Sequence, residues 1–137
     1  MVQTLGLTAH PEGGWFRELH RDRAVTTIHY VLDAHGLSPL HRLRSRTELW
    51  HFYDGAPLEL HTIADGVHAM ARLSRESPVA VVPAGVWQAA RTGDGWAWCG
   101  CTVAPAFDFD DWEMPPRAML LDQLPSLATI VTELTRA

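Results

Sequence analysis

Lysine is absent from this sequence of 137 residues, and all 11 basic residues are arginine. A phosphate-loop lysine, a pyridoxal Schiff base and any other lysine nucleophile are therefore excluded within the chain. Cysteine is scarce: Cys99 and Cys101 are too few for a disulfide framework, and a spacing of two puts both on one face of a strand as small core residues. Long hydrophobic runs are missing, because the apolar 47% of the chain comes in short alternating stretches, so no transmembrane span is expected. The opening Met1-Val2-Gln3-Thr4-Leu5-Gly6 lacks the basic region and continuous apolar stretch of a secretory signal, and a cytoplasmic protein is expected. Positive charge is in deficit, 11 basic against 16 acidic residues for a formal net charge of −5, which argues against nucleic acid or a membrane as partner.

From Val25 to Val103 the chain alternates short runs rich in Val, Ile, Thr and aromatic residues with turn residues. The predicted strands are Val25–Leu32, Thr47–Tyr53, Pro57–Ile63, Val67–Leu73, Val79–Val82, Val86–Arg91 and Trp96–Val103. Asp33-Ala34-His35-Gly36, Pro83-Ala84-Gly85 and Thr92-Gly93-Asp94-Gly95 read as turns, and Asp54-Gly55 and Asp65-Gly66 predict tight hairpins. Many short strands with no helical pattern between them predict an all-β, antiparallel sandwich or barrel rather than a parallel sheet. The length suits a single domain, 1–137.

Near the end the period changes. Leu127, Ile130, Val131 and Leu134 follow helical spacing, Pro125 suits a first helical position, and a short C-terminal helix packing its apolar stripe on the sheet is predicted. Phe107-Asp108-Phe109-Asp110-Asp111-Trp112 reads as a lid or a covering loop.

Eight His residues are scattered through the chain, so facing matters more than number. In the strand Thr47–Tyr53, Glu48, Trp50 and Phe52 share one face, while Leu49, His51 and Tyr53 share the other. Trp96 and Trp98 share a face of the final strand. Trp50, Phe52 and Trp98 are thus candidates for an aromatic wall that stacks a flat ring, with ordinary core packing as the alternative. Arg42, Arg44 and Arg46 alternate away from His41 and read as a solvated basic edge, with an anion contact through Arg42 as the alternative. His10-Pro11-Glu12-Gly13-Gly14 forces an unusual backbone path; His10 and Glu12 there are candidate ligand contacts, against a purely structural turn.

The stretch Gly36 to Gly55, with His41 and Glu48 inside it, resembles the first cupin motif, and Pro83-Ala84-Gly85-Val86-Trp87-Gln88 resembles the second. A closer resemblance, over almost the whole length, is to the small single-domain Cupin 5 family, which groups with sugar-epimerase-like cupins. It is carried by His10-Pro11-Glu12-Gly13-Gly14-Trp15-Phe16-Arg17-Glu18, by Ser38-Pro39-Leu40-His41-Arg42, and by Glu48-Leu49-Trp50-His51-Phe52-Tyr53-Asp54-Gly55. Val82-Pro83-Ala84-Gly85-Val86-Trp87-Gln88-Ala89-Ala90 and Gly100-Cys101-Thr102-Val103-Ala104-Pro105-Ala106-Phe107-Asp108-Phe109 complete it. Ala106 stands where the family typically has Gly, and His29 interrupts its usual Ile-Tyr pair. The resemblance implies a jelly-roll β-barrel with a ligand pocket, a homodimer, and an N-terminal segment near that pocket.

The same resemblance puts His41, Glu48 and Gln88 where cupins usually hold a divalent metal (iron, manganese, nickel or zinc). Leu43 and Gln88 replace two of the usual histidines, and one imidazole, one carboxylate and one amide make a weak donor set. Without metal, His41 and Glu48 form an acid/base pair: an imidazole exchanges a proton near neutral pH, and burial should raise the affinity of Glu48 for its proton. Gln88 would then orient an oxygen of the ligand. Three functions remain open: a proton-transfer enzyme of isomerase, epimerase or lyase type acting on a small polar or ring-bearing metabolite, a metal-dependent enzyme, and a non-catalytic metabolite-binding module.

Overall fold

Runs of Val, Ile, Thr and aromatic residues suit a pleated, half-buried surface, and they form the strands of the computed structural model, which describes residues 2–137. Helix α1 (Val2–Leu5) and strand β1 (Thr8–Ala9) lead into β2 (Trp15–Arg21), β3 (Thr26–Leu32), β4 (Leu37–Leu43) and β5 (Thr47–Gly55). Then follow β6 (Leu58–Ala64), β7 (Val67–Leu73), β8 (Val79–Val82), β9 (Trp87–Thr92), β10 (Ala97–Ala104) and β11 (Trp112–Glu113). Helices α2 (Arg117–Gln123) and α3 (Ala128–Glu133) follow, with a 3₁₀ turn at Pro125–Leu127 between them.

The strands make two antiparallel sheets, one ordered β1-β2-β3-β10-β5-β8 and the other β11-β4-β9-β6-β7. Their facing sides bury Tyr30, Leu32, Trp50, Phe52, Cys99 and Cys101 against Leu58, Leu60 and Ala90. The outer face of the second sheet is covered as well: Leu40, Ile63, Trp87 and Ala89 pack under Leu120, Val131 and Leu134 of the C-terminal helices. Each fully buried large apolar side chain contributes roughly 1.5–3 kcal/mol relative to exposure, so the helices are an integral layer of the fold. The stripe Leu127, Ile130, Val131, Leu134 lies against that layer, as its spacing predicts.

Two local expectations change. Asp65 (φ 50°) and Gly66 (φ 74°) form the predicted tight hairpin between β6 and β7, but Asp54-Gly55 does not close one. β5 and β6 belong to different sheets, so Gly55 carries the chain across from one sheet to the other. β2 and β4 also add strands that the hydrophobic pattern did not mark, because β2 carries mostly exposed polar residues and β4 contains Pro39.

Candidate functional site

A β-bulge builds one wall of the site. Ser38 pairs with Ala90 and His41 with Gln88, so three steps along β4 match two along β9. Strict alternation would put Ser38 and His41 on opposite faces; the extra residue turns both inward. Pro39, which has no N–H to give a ladder, sits inside the bulge, and its carbonyl lies 2.7 Å from His41 Nδ1. Nδ1 therefore carries a proton and donates it, which leaves Nε2 facing the interior.

The segment His10-Pro11-Glu12-Gly13-Gly14 forms a tight loop between β1 and β2, closed by the Gly13 N–H to the His10 carbonyl at 3.0 Å and the His10 N–H to the Gly14 carbonyl at 2.9 Å. Gly14 has φ +77°, and a Cβ there would stand 2.8 Å from both Tyr30 Oη and the Val31 carbonyl, so only glycine lets the loop approach β3 so closely. Tyr30 Oη donates to the Gly13 carbonyl at 2.5 Å and pins the loop. The loop delivers Glu12 into the chain's own interior. Glu12 accepts from Ser38 Oγ at 3.1 Å and faces His41 Nε2 at 3.3 Å, with both Glu12 and His41 buried. His41 Nε2 is thus turned toward the Glu12 carboxylate.

Glu12 and His41 line a cavity of about 210 Å³ with His10 and Glu48. It lies at the end of the barrel where Thr26, Glu48 and Val103 stand side by side on β3, β5 and β10. Burial is the main cause that pushes the Glu48 carboxyl up, to about 7; the nearby Glu12 carboxylate raises it further, while His41 and hydrogen bonds from Gln88 and the Cys101 thiol oppose the rise. His10 is pushed below its ordinary value, chiefly by burial, and its Nδ1 accepts the Glu12 N–H at 3.1 Å. Both cysteines are held as thiols, Cys99 by burial that raises it to about 12 and Cys101 by burial and the neighbouring Glu48.

His10, Glu12, His41 and Glu48 are thus brought together on one cavity, and the other expected contacts are placed elsewhere. Trp50 and Phe52 share the inward face of β5 with Glu48 but sit deeper, in the packed core. Trp98 faces outward, donating its indole N–H to His29 Nδ1 at 3.1 Å and packing edge-on to Tyr53 at 5.3 Å. Arg42 lies outside the cavity, 4.3 Å over the Trp87 ring, and donates to Glu113 at 2.8 Å. Arg44 also reaches Glu113 and Arg46 reaches Asp111, so this edge is ion-paired rather than simply solvated.

The remaining walls are apolar: Ile28, Leu43 and Val103, with the aromatic rings of Phe16 and Tyr30 from β2 and β3 and of Phe107, Phe109 and Trp112 from the segment before and into β11. The covering-loop reading of that segment had a visible signal in its three aromatics, whereas Phe16 and Tyr30 had none beyond their strands. Ala106 takes no left-handed backbone, so the family's usual glycine there is not needed for the turn. The Trp112 indole N–H is, among the described residues, the buried side-chain polar atom left without a hydrogen-bond partner. At the mouth, Arg21 grips Glu18 through two hydrogen bonds of 3.0 Å and the Phe107 carbonyl through a third of 2.9 Å.

A metal on the cupin positions does not fit this arrangement. The Trp50 indole can only donate, and it lies 2.8 Å from Gln88 Oε1, so the amide oxygen is turned to Trp50. The Gln88 NH₂ therefore points at Glu48, at 2.8 Å, and offers no lone pair on the side of the candidate ligands. Among the described residues no three His, Cys, Asp or Glu side chains are grouped so as to hold an ion. Gln88 instead couples the core to the carboxyl group of Glu48.

Two antiparallel sheets closed around a polar cavity at one end, with short helices behind, define a jelly-roll β-barrel of the cupin class. The chain belongs to the Cupin_5 family of the cupin superfamily (DUF985), whose pattern matches residues 1–115. Among solved structures it is similar to a hypothetical protein from Leishmania major, at 26% identity and a TM-score of 0.90, covering 99% of this chain and 97% of that one. A protein from Shewanella oneidensis is 30% identical at a TM-score of 0.90, over 98% and 94% of the two chains. Oxalate decarboxylase from Bacillus subtilis shares the fold alone, at 10% identity and a TM-score of 0.67, over 92% of this chain and 36% of that one. A search of curated proteins finds no match. Among the described residues no helix is long and apolar enough to cross a membrane.

Proposed function

We propose that this protein is an enzyme that moves a proton next to a carbonyl group of a small metabolite, in an isomerisation, epimerisation or elimination. The observation that carries this reading is the pairing of two unlike acid/base groups on one cavity. Glu48 is pushed up to about 7, and His41 Nε2 faces the Glu12 carboxylate at 3.3 Å. Groups whose surroundings separate their proton affinities are the arrangement that acid/base catalysis needs. Ionised Glu48 takes a proton from the carbon beside the carbonyl, and the electron pair of that C–H bond moves toward the oxygen. The Glu12–His41 pair supplies a proton to that oxygen, giving an enol, and the reverse transfers at the neighbouring or opposite face return a C–H bond. Gln88 and Ser38 position the two acids without touching the reacting atoms.

The test is deuterium wash-in. Candidate hydroxy-ketones and keto-sugars, together with amino-ketones and amino-keto-sugars, are incubated with the protein in D₂O, and loss of the proton signal beside the carbonyl is followed by NMR. Exchange by the wild type that falls about 100-fold or more in Glu48→Gln and in His41→Asn supports the reading. Exchange unaffected by either substitution removes it.

We also propose that the chain pairs with a second copy through β8. This edge strand carries Val79 and Val81 half exposed, beside the exposed Tyr53 of β5, and an apolar sheet edge of this kind is a surface for strand pairing.

A further inference from the structure

The pairings around the cavity leave one acid over: Glu12 faces His41 and Glu18 is bound by Arg21, while Glu48 has neither. Three carboxylic acids line it, Glu12 and Glu48 at the floor and Glu18 at the mouth, against a single guanidinium, Arg21. That guanidinium is consumed: two of its nitrogens bind both Glu18 oxygens at 3.0 Å and the third binds the Phe107 carbonyl at 2.9 Å. His41 turns Nε2 to Glu12, and burial holds His10 toward its neutral form. The chain has no lysine to add a charge. An anionic ligand would thus meet the unpaired acid Glu48 and, among the described residues, no free cation, a mismatch that disfavours it in a buried site.

The walls point the same way. Phe16, Tyr30, Phe107, Phe109 and Trp112 surround the acidic floor, and the faces of such rings carry negative potential that attracts organic cations. Resting on the reading of this cavity as the active site, we propose that its ligand is a small amine-bearing organic cation, and that phosphorylated or carboxylated metabolites are rejected. The volume of about 210 Å³ limits that ligand to about one ring with its substituents.

A matched series tests the charge without turnover: benzylamine, benzyl alcohol and benzoate share one ring and differ in charge. Binding to the full chain at neutral pH is read by thermal shift and by titration calorimetry. Benzylamine is expected to bind about tenfold or more tighter than benzyl alcohol, with benzoate giving no shift. Glu48→Gln should bring benzylamine to within about threefold of benzyl alcohol. Glu18→Gln, a change at the exposed mouth that frees Arg21, should let benzoate bind. Benzoate binding to the wild type as tightly as benzylamine overturns the proposal, as does failure of all three to bind at millimolar concentration. Benzylamine binding with no deuterium exchange by any metabolite keeps the charge assignment and removes the proton-transfer reading; benzoate binding with exchange intact does the reverse.

Discussion

Glu48 holds its proton more tightly in the folded protein than in the unfolded chain, and this makes stability depend on pH in a way a single substitution should erase. The ordinary carboxyl value of 4.5 rises to about 7. A gap of that size corresponds to roughly 3 kcal/mol at about 1.4 kcal/mol per pH unit. The favourable contribution is complete below 4.5, where the carboxyl is protonated in both states, and is lost as pH rises through 7. Above that, the fold must hold an ionised carboxylate in its interior. Water entering the cavity screens part of the cost, which leaves about 2–3 kcal/mol. Glu48→Gln keeps the shape and an oxygen that accepts from Gln88, and removes the charge. At pH 5 the variant should match the wild type within about 1 kcal/mol; at pH 8 it should be more stable by about 2–3 kcal/mol. For a chain of this length that is a rise in Tm on the order of 10 °C. Urea unfolding at pH 5, 6, 7 and 8, followed by circular dichroism, measures the difference at each pH. A difference that stays flat across this range refutes the electrostatic account of Glu48. A gain in stability on replacing Glu48 is the trade expected where function holds a residue in an unfavourable state, as the proposed function requires.

Gly14→Ala forces a left-handed backbone on alanine and a Cβ to within 2.8 Å of Tyr30 Oη, so a loss of at least about 2 kcal/mol is expected in equilibrium unfolding. Gln88→Leu orphans the indole N–H of the buried Trp50 and should cost about 1–3 kcal/mol. The same change removes a hydrogen bond that favours the ionised form of Glu48, so the midpoint of any pH-dependent activity should move up, which a pH–rate profile reads. Val81→Arg places a charge on the apolar edge of β8 and should shift the proposed dimer to monomer in sedimentation at micromolar concentration; a wild type that sediments as a monomer refutes the pairing, and a dimer unchanged by the substitution places its interface elsewhere.

The period-2 pattern of residues 47 to 53 told which side chains face inward, and Glu48, Trp50 and Phe52 do share that side. It carries no information on depth along the barrel, which is why Trp50 and Phe52 read as a wall when they are packing beneath one. Ser38, part of a motif but given no role in the site, was passed over for a different reason. Three steps from His41, it falls on the opposite face under strict alternation, and only the bulge in β4 reverses this. Glu12 was marked by the odd backbone of its loop, but its bond to His41 spans two elements far apart in the chain, and no local pattern encodes such a contact. Tyr30 looked like any strand aromatic, because the partner that gives it a role, the Gly13 carbonyl, belongs to another loop. Trp98 was misleading in the usual way of a polar-tipped aromatic on a strand: outward-facing rings find partners too, here His29 and Tyr53.

The loop that carries Glu12 is fastened from the far end of the sequence. Arg136 donates to the Leu37 carbonyl at 2.8 Å and to the Glu12 carbonyl at 3.4 Å, joining residues 124 positions apart. On the ribosome the sheets can pair as they emerge, but this clasp cannot form until residue 136 has been added and released from the exit tunnel. A chain cut before Arg136 loses this fastening of the loop that carries Glu12.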